Sequence, residues 1–174
     1  ILLVPLMALS AGIGPVVGQN WGAHKKDRVQ NATQWAFGFS LSYGVLVGVL
    51  LLLLASPIAG LLASSESDQA YAATYLRIVG LTLSGYGMVV IANAAMNARD
   101  KAIWSMSLSL GRIFVVYLPL AWLGVSLFGY IGIVVAASLA NVIGGIAAAF
   151  AVRKTELLSL GLSRSSNAKK TRLT

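Results

Sequence analysis

Charge is missing from most of this sequence. Uncharged runs cover residues 1–24, 29–65, 78–98, 102–111 and 113–152 of the 174-residue chain, and the 13 Lys or Arg and 5 Asp or Glu are clumped between them. A soluble domain needs charged side chains spread over its surface, so this pattern excludes one. Crossing the hydrocarbon of a bilayer takes about 20 predominantly apolar residues in a helix, and several runs reach that length. With no Cys there is no disulfide, thiol nucleophile or thiolate metal site. The net charge of +8 would suggest nucleic acid only on a folded basic face. Here the positives lie between apolar segments, so the lipid bilayer is the expected partner and nucleic acid is not.

The runs predict an all-α polytopic membrane protein with five spans, about 1–21, 32–62, 70–97, 102–126 and 130–152. Residues 102–152 hold two of them, divided at Leu123 to Tyr130, where two glycines and an aromatic pair suit a short hairpin. The chain opens on Ile1 inside an apolar run with no basic leader, which reads as a span in progress and as the C-terminal part of a longer protein.

Lys and Arg accumulate in cytoplasmic connections. Lys25, Lys26 and Arg28 follow span one, Arg99 and Lys101 follow span three, and Arg153, Lys154, Arg164, Lys169, Lys170 and Arg172 follow span five. The connection Ser64 to Gln69 carries only Glu66 and Asp68, and the last connection has no charge. These alternations place the C-terminus in the cytoplasm of a plasma (inner) membrane protein. The bundle is assigned to 1–152, and the basic, Ser-rich stretch 153–174 to a disordered tail.

Small residues recur every fourth position, as Ser10, Gly14, Gly18 and Gly22 and again as Ser40, Gly44 and Gly48. Such rows let helices approach closely in lipid, where apolar surface alone gives them little reason to associate. In the third span, at about 100° per residue, Tyr75, Thr82, Tyr86, Asn93 and Asn97 fall within about 60° of one another. That polar stripe faces either a hydrogen-bonding helix or a water-filled path, which makes Thr82, Tyr86, Asn93 and Asn97 the candidates to line a substrate path. Arg112 lies about ten residues into span four, about 15 Å from the boundary, with Ser105 and Ser109 on its face and Gly111 beside it. It serves as bundle structure or in binding and gating. Asn141 is central in span five and reads first as interhelical glue. Pro5, Pro15 and Pro119 each remove a backbone hydrogen bond where helices bend around a cavity.

Enzyme chemistry has no constellation here. His24 is the only His, the carboxylates all lie in or beside connections, and neither a catalytic set nor a metal motif can be assembled. No cofactor is expected.

The run Gly12 to Ala23, containing Pro15, Gln19, Asn20 and Gly22, is similar to the P-x-x-x-Q-x-x-G-A motif of the multidrug and toxic compound extrusion (MATE) family. Asn93 to Lys101, followed by Arg112 and Pro119, and Tyr75 to Ile78 extend the likeness over nearly the whole chain. The resemblance implies two six-helix bundles, of which these are five transmembrane helices of the C-terminal bundle, partnered by a missing N-terminal bundle. Pro15, Gln19, Asn20, Arg112, Pro119 and Asn141 are the structural or gating candidates. The resemblance also implies efflux of amphipathic or cationic small molecules against Na⁺ or H⁺. Sodium-coupled members carry an acid midway along the helix matching span three, where this chain reads Ser84-Gly85-Tyr86-Gly87-Met88. Any coupling acid is therefore expected upstream of Ile1. A flippase for lipid-linked sugars and a non-transporting assembly subunit are the alternatives.

The charge alternation makes a direct prediction on this Cys-free background. Ser67→Cys should react with an impermeant thiol reagent added outside the cell. Reaction only from the cytoplasmic side would reverse the topology.

Overall fold

The structure, a computed structural model, describes residues 1–158. The expected tail disorder concerns, beyond Leu158, residues outside that range. Seven α-helices follow one another: α1 Val4–Gly22, α2 Lys26–Leu62, α3 Glu66–Gly80, α4 Leu83–Ala98, α5 Ala102–Leu110, α6 Leu118–Phe128 and α7 Tyr130–Lys154. Between α5 and α6, Gly111–Tyr117 is π-helical, so Ala102–Phe128 forms one long helix.

Among the described residues three helices are long and apolar enough to cross a membrane: α2, Ala102–Phe128 and α7. The pair α3 and α4 adds a fourth if it counts as one span. The first expected span is helical too, but its polar end Gln19-Asn20 leaves α1 short of that standard, so three or four of the five expected spans meet it by length and composition. Lipid-facing apolar surface is abundant, with Trp35 81%, Leu53 73% and Trp122 71% exposed.

The local chemistry explains the boundaries. Helix α2 has 37 residues, about 55 Å at 1.5 Å each, and so outreaches a hydrocarbon core of about 30 Å. Its first turn holds Lys26 and Arg28 of the basic cluster that follows α1, with Lys25 as the residue before it. Helix α3 starts on Ser65, whose Oγ accepts the Asp68 N–H at 3.2 Å. Pro5 stands in the first turn of α1, where no hydrogen bond is lost. Within helices the interrupting prolines are Pro15 and Pro57. Pro119 follows the π-helical segment, where the Leu118 N–H reaches back to the Ile113 carbonyl. Widening the helix ahead of a residue that cannot donate keeps the long helix from breaking. Gly129, at φ +59°, makes the turn into α7. Gly124 is not part of that turn; it packs against Gly132 across the hairpin.

The predicted third span is broken. Helices α3 and α4 meet at 55° across Leu81 and Thr82, so the polar stripe is divided, with Tyr75 on α3 and the rest on α4 or at its cap. At the break, Thr82 Oγ1 donates to the Val79 carbonyl at 3.0 Å. Gly80 lies against Leu51 of α2, and a Cβ on Gly48 would come within 3.0 Å of the Gly80 carbonyl.

Helix α4 is central and packs on α1, α2, α5 and α7. A Cβ on Gly44 would overlap the Ser84 backbone, and one on Gly145 would stand 2.8 Å from Gly85 Cα. The row Ser40, Gly44 and Gly48 therefore does what the sequence suggests. In the α1 row, Ser10 donates to the Val90 carbonyl at 3.1 Å and Gly18 faces Ala98, while Gly14 and Gly22 meet nothing within 4 Å.

Candidate functional site

Backbone proximity between α4 and its neighbours lets short polar side chains meet. Asn141, 9% exposed on α7, donates through Nδ2 to Thr82 Oγ1 at 3.2 Å. Its Oδ1 accepts from Arg112 Nη1 at 3.0 Å. The three residues form a chain from the α3–α4 break through α7 to the π-helical segment. The Arg112 stem lies against Gly144, where a Cβ would stand 2.6 Å from the arginine Cδ. The room for the arginine stem is made at Gly144 and not at Gly111, which has open space around it. The Arg112 guanidinium is also 5.9 Å from the Tyr86 ring centroid.

Asn93 belongs to a second set. It donates to Ser109 Oγ at 2.8 Å and accepts from Ser105 Oγ at 3.1 Å. Ser105 and Ser109, expected beside Arg112, thus serve α4. The stripe is consequently tied into neighbouring helices at Thr82 and Asn93. Tyr86 is half-buried, and Asn97 is exposed near the end of α4. Among the gating candidates, Asn20 donates to the Val16 carbonyl at 2.8 Å within its own helix. Pro15, Gln19 and Pro119 are exposed.

A further cluster, which the sequence reading missed, joins four helix ends on the basic side. The Arg99 guanidinium lies 3.8 Å from the Trp21 ring centroid, and Lys26 Nζ 5.3 Å from it. Glu156 pairs with Lys26 at 3.1 Å and with Arg99 at 3.5 Å. Its carbonyl accepts from Gln30 Nε2 at 3.2 Å. Residues just after α7 thereby hold α1, α2 and α4, with Leu157 fully buried beneath them.

The same side shows a repeated cap. His24, Asp100 and Glu156 have φ of 56°, 58° and 59°. The next N–H in each case, from Lys25, Lys101 or Leu157, reaches back five residues to the Asn20, Met96 or Val152 carbonyl. This is the Schellman arrangement, built without the usual Gly. Such a conformation costs an ordinary residue about 1–2 kcal/mol, and the usual sequence signal for it is absent here.

The Glu156 carboxyl is held below its ordinary 4.5, chiefly by the hydrogen bond from Lys26 and then by the charges of Lys26 and Arg99. Burial lowers the Arg99 guanidinium, and Glu156 opposes that shift. Among the described residues no group of His and acidic side chains is arranged to hold a metal ion.

Residues 1–123 match the MatE family, and the chain belongs to it. It is 30% identical over 147 residues to a FAD transporter of Shewanella oneidensis, covering 84% of this chain and 32% of that protein. The Vibrio cholerae MATE transporter VcmN in its bent form aligns over 91% of this chain and 37% of its own, with a TM-score of 0.84 at 27% identity. A mutant of VcmN gives 0.86 at 28% identity, over 88% of this chain and 35% of its own. The chain therefore spans about a third of the length of these relatives, and its fold is that of a membrane-integral MATE bundle.

Glu156→Gln should melt below the wild type at pH 7. A depressed carboxyl contributes stability that is present above its ordinary 4.5 and is lost as the pH falls through the lower folded-state value, so the gap should narrow as the pH is taken below 4.5. A gap that stays the same size however far the pH is lowered below 4.5, while both proteins remain folded, would show that the ion pairs are not what Glu156 contributes.

Proposed function

We propose that this chain forms most of the C-terminal bundle of a secondary active exporter of amphipathic small organic molecules. The observation that carries the reading is the likeness to VcmN across 91% of the chain, with a TM-score of 0.84, in a member of the MatE family. Transport by alternating access needs two bundles moving about a shared site near the bilayer midplane. The partner is then a second bundle of the same protein, supplied by sequence before Ile1. The basic end, with Trp21, Arg99 and Glu156, faces the cytoplasm in this proposal, and the protein sits in the inner membrane.

Coupling is assigned to Na⁺ or H⁺ bound outside these residues, because the carboxylates Asp27, Glu66, Asp68, Asp100 and Glu156 all lie in or beside connections. Work is done by moving a substrate rather than by bond chemistry, so the protein is not an enzyme. The Shewanella relative is a FAD transporter, which brings flavin compounds among the substrates worth testing beside cationic dyes.

Membrane vesicles from cells expressing the intact gene should accumulate or release such compounds only while an ion gradient is maintained. Expression of residues 1–174 alone should confer no transport. Gradient-independent movement, or transport by residues 1–174 alone, would contradict the proposal.

A further inference from the structure

Arg112 is the charged side chain that sits deepest in the predicted spans, and its charge is not matched. Both ion pairs among the described residues are at the basic end, between Glu156 and Lys26 or Arg99. A guanidinium carries five N–H donors. Here one bond goes to Asn141 Oδ1, and Nε is buried with no acceptor. The head group is nevertheless well positioned. Gly144 makes room for its stem, Asn141 fixes one edge, and the Tyr86 ring stands 5.9 Å away. Arg112 and Tyr86 are both half-buried, so neither is sealed within the bundle.

A cation held at membrane depth is costly unless it meets a carboxylate, an anion or water. A neutral amide and a ring face offset only part of that cost. Building such a position without an acid favours a ligand that brings the negative charge. A guanidinium binds planar oxyanions in a fixed fork geometry, and these bonds are among the strongest polar contacts available.

We propose that Arg112 recognises an anionic group, phosphate or carboxylate, on the exported molecule, with Tyr86 offering a ring face to its apolar part. The substrate class is then an amphipathic organic anion rather than a cation. This inference rests on the exporter reading above and adds the sign of the substrate's charge.

The test uses the protein expressed from its intact gene, held in lipid nanodiscs for binding and in sealed membrane vesicles for transport. The probes are riboflavin and riboflavin 5′-phosphate, which share a ring system and differ in the phosphate, with ethidium as the cation. The phosphate form should bind about tenfold to a hundredfold more tightly than riboflavin, as expected when a charged hydrogen-bonding group is added. Arg112→Gln, which keeps an N–H for Asn141, should reduce that advantage to within about twofold while leaving riboflavin affinity unchanged. Asn141→Asp, which gives Arg112 a carboxylate partner, should do the same with the arginine still present. It decides the matter if Arg112→Gln does not fold. Equal affinity for the two flavins in the wild type, or an advantage that survives in the folded variants, overturns the proposal. Export of ethidium without binding of the phosphate form overturns it and leaves the exporter reading standing. If no probe is moved under an ion gradient, both fail.

Discussion

The approach of helix α4 to the backbones of α2 and α7 sets the distances on which the other contacts depend. In lipid the helices gain little from burying apolar surface against one another, so backbone-to-backbone packing and interhelical hydrogen bonds must hold them. Gly44 against Ser84 and Gly85 against Gly145 supply that packing. Once the backbones are this close, short side chains can span the gap. Ser40 reaches the Ser84 carbonyl at 3.2 Å, and Asn141 reaches Thr82. The Arg112 stem then enters the space beside Gly144. Larger residues at these glycines would separate the helices and leave Asn141 and Arg112 short of their partners.

Much of this was legible in the sequence because the bilayer imposes simple rules on it. Uncharged runs marked the apolar helical segments, fourfold spacing gave the row Ser40, Gly44 and Gly48, and the cost of intramembrane charge required Arg112 to face protein. The break at Leu81 and Thr82 was not legible. It contains no proline, and its cause is tertiary: Gly80 pressed on Leu51, and Thr82 bonded at once to Val79 and Asn141. The three caps at His24, Asp100 and Glu156 were hidden for a related reason. Local signals point to Gly or Asn, while these positions are held by what lies around them. Glu156 is the clearest case, since its position follows from Lys26, Arg99 and a buried Leu157 distant in sequence.

The candidate site shows the same division. Helical periodicity put Thr82, Tyr86 and Asn93 on one side of the expected third span, but it could not say what faces them. The structure gives Asn93 two serine partners and Thr82 an amide, so these positions bind helices together, each bond being worth about 0.6 kcal/mol by analogy with other membrane bundles. Tyr86 and Arg112 remain half-buried beside one another. That pair, rather than the full stripe, is what the proposed recognition of a ligand rests on.

The central claim is that α4 is seated by contacts that admit no side chain at Gly85. Comparing Gly85→Ala with Gly38→Ala tests it, since a Cβ on Gly85 would overlap the Asn141 carbonyl whereas Gly38 has nothing within 4 Å. Replacing Gly by Ala inside a helix with free space is neutral or stabilising by up to about 1 kcal/mol, and overpacking costs about 1–3 kcal/mol. Thermal melting in detergent should therefore show Gly38→Ala at or above the wild type and Gly85→Ala below it. A Gly85→Ala variant that melts as high as Gly38→Ala would contradict the account.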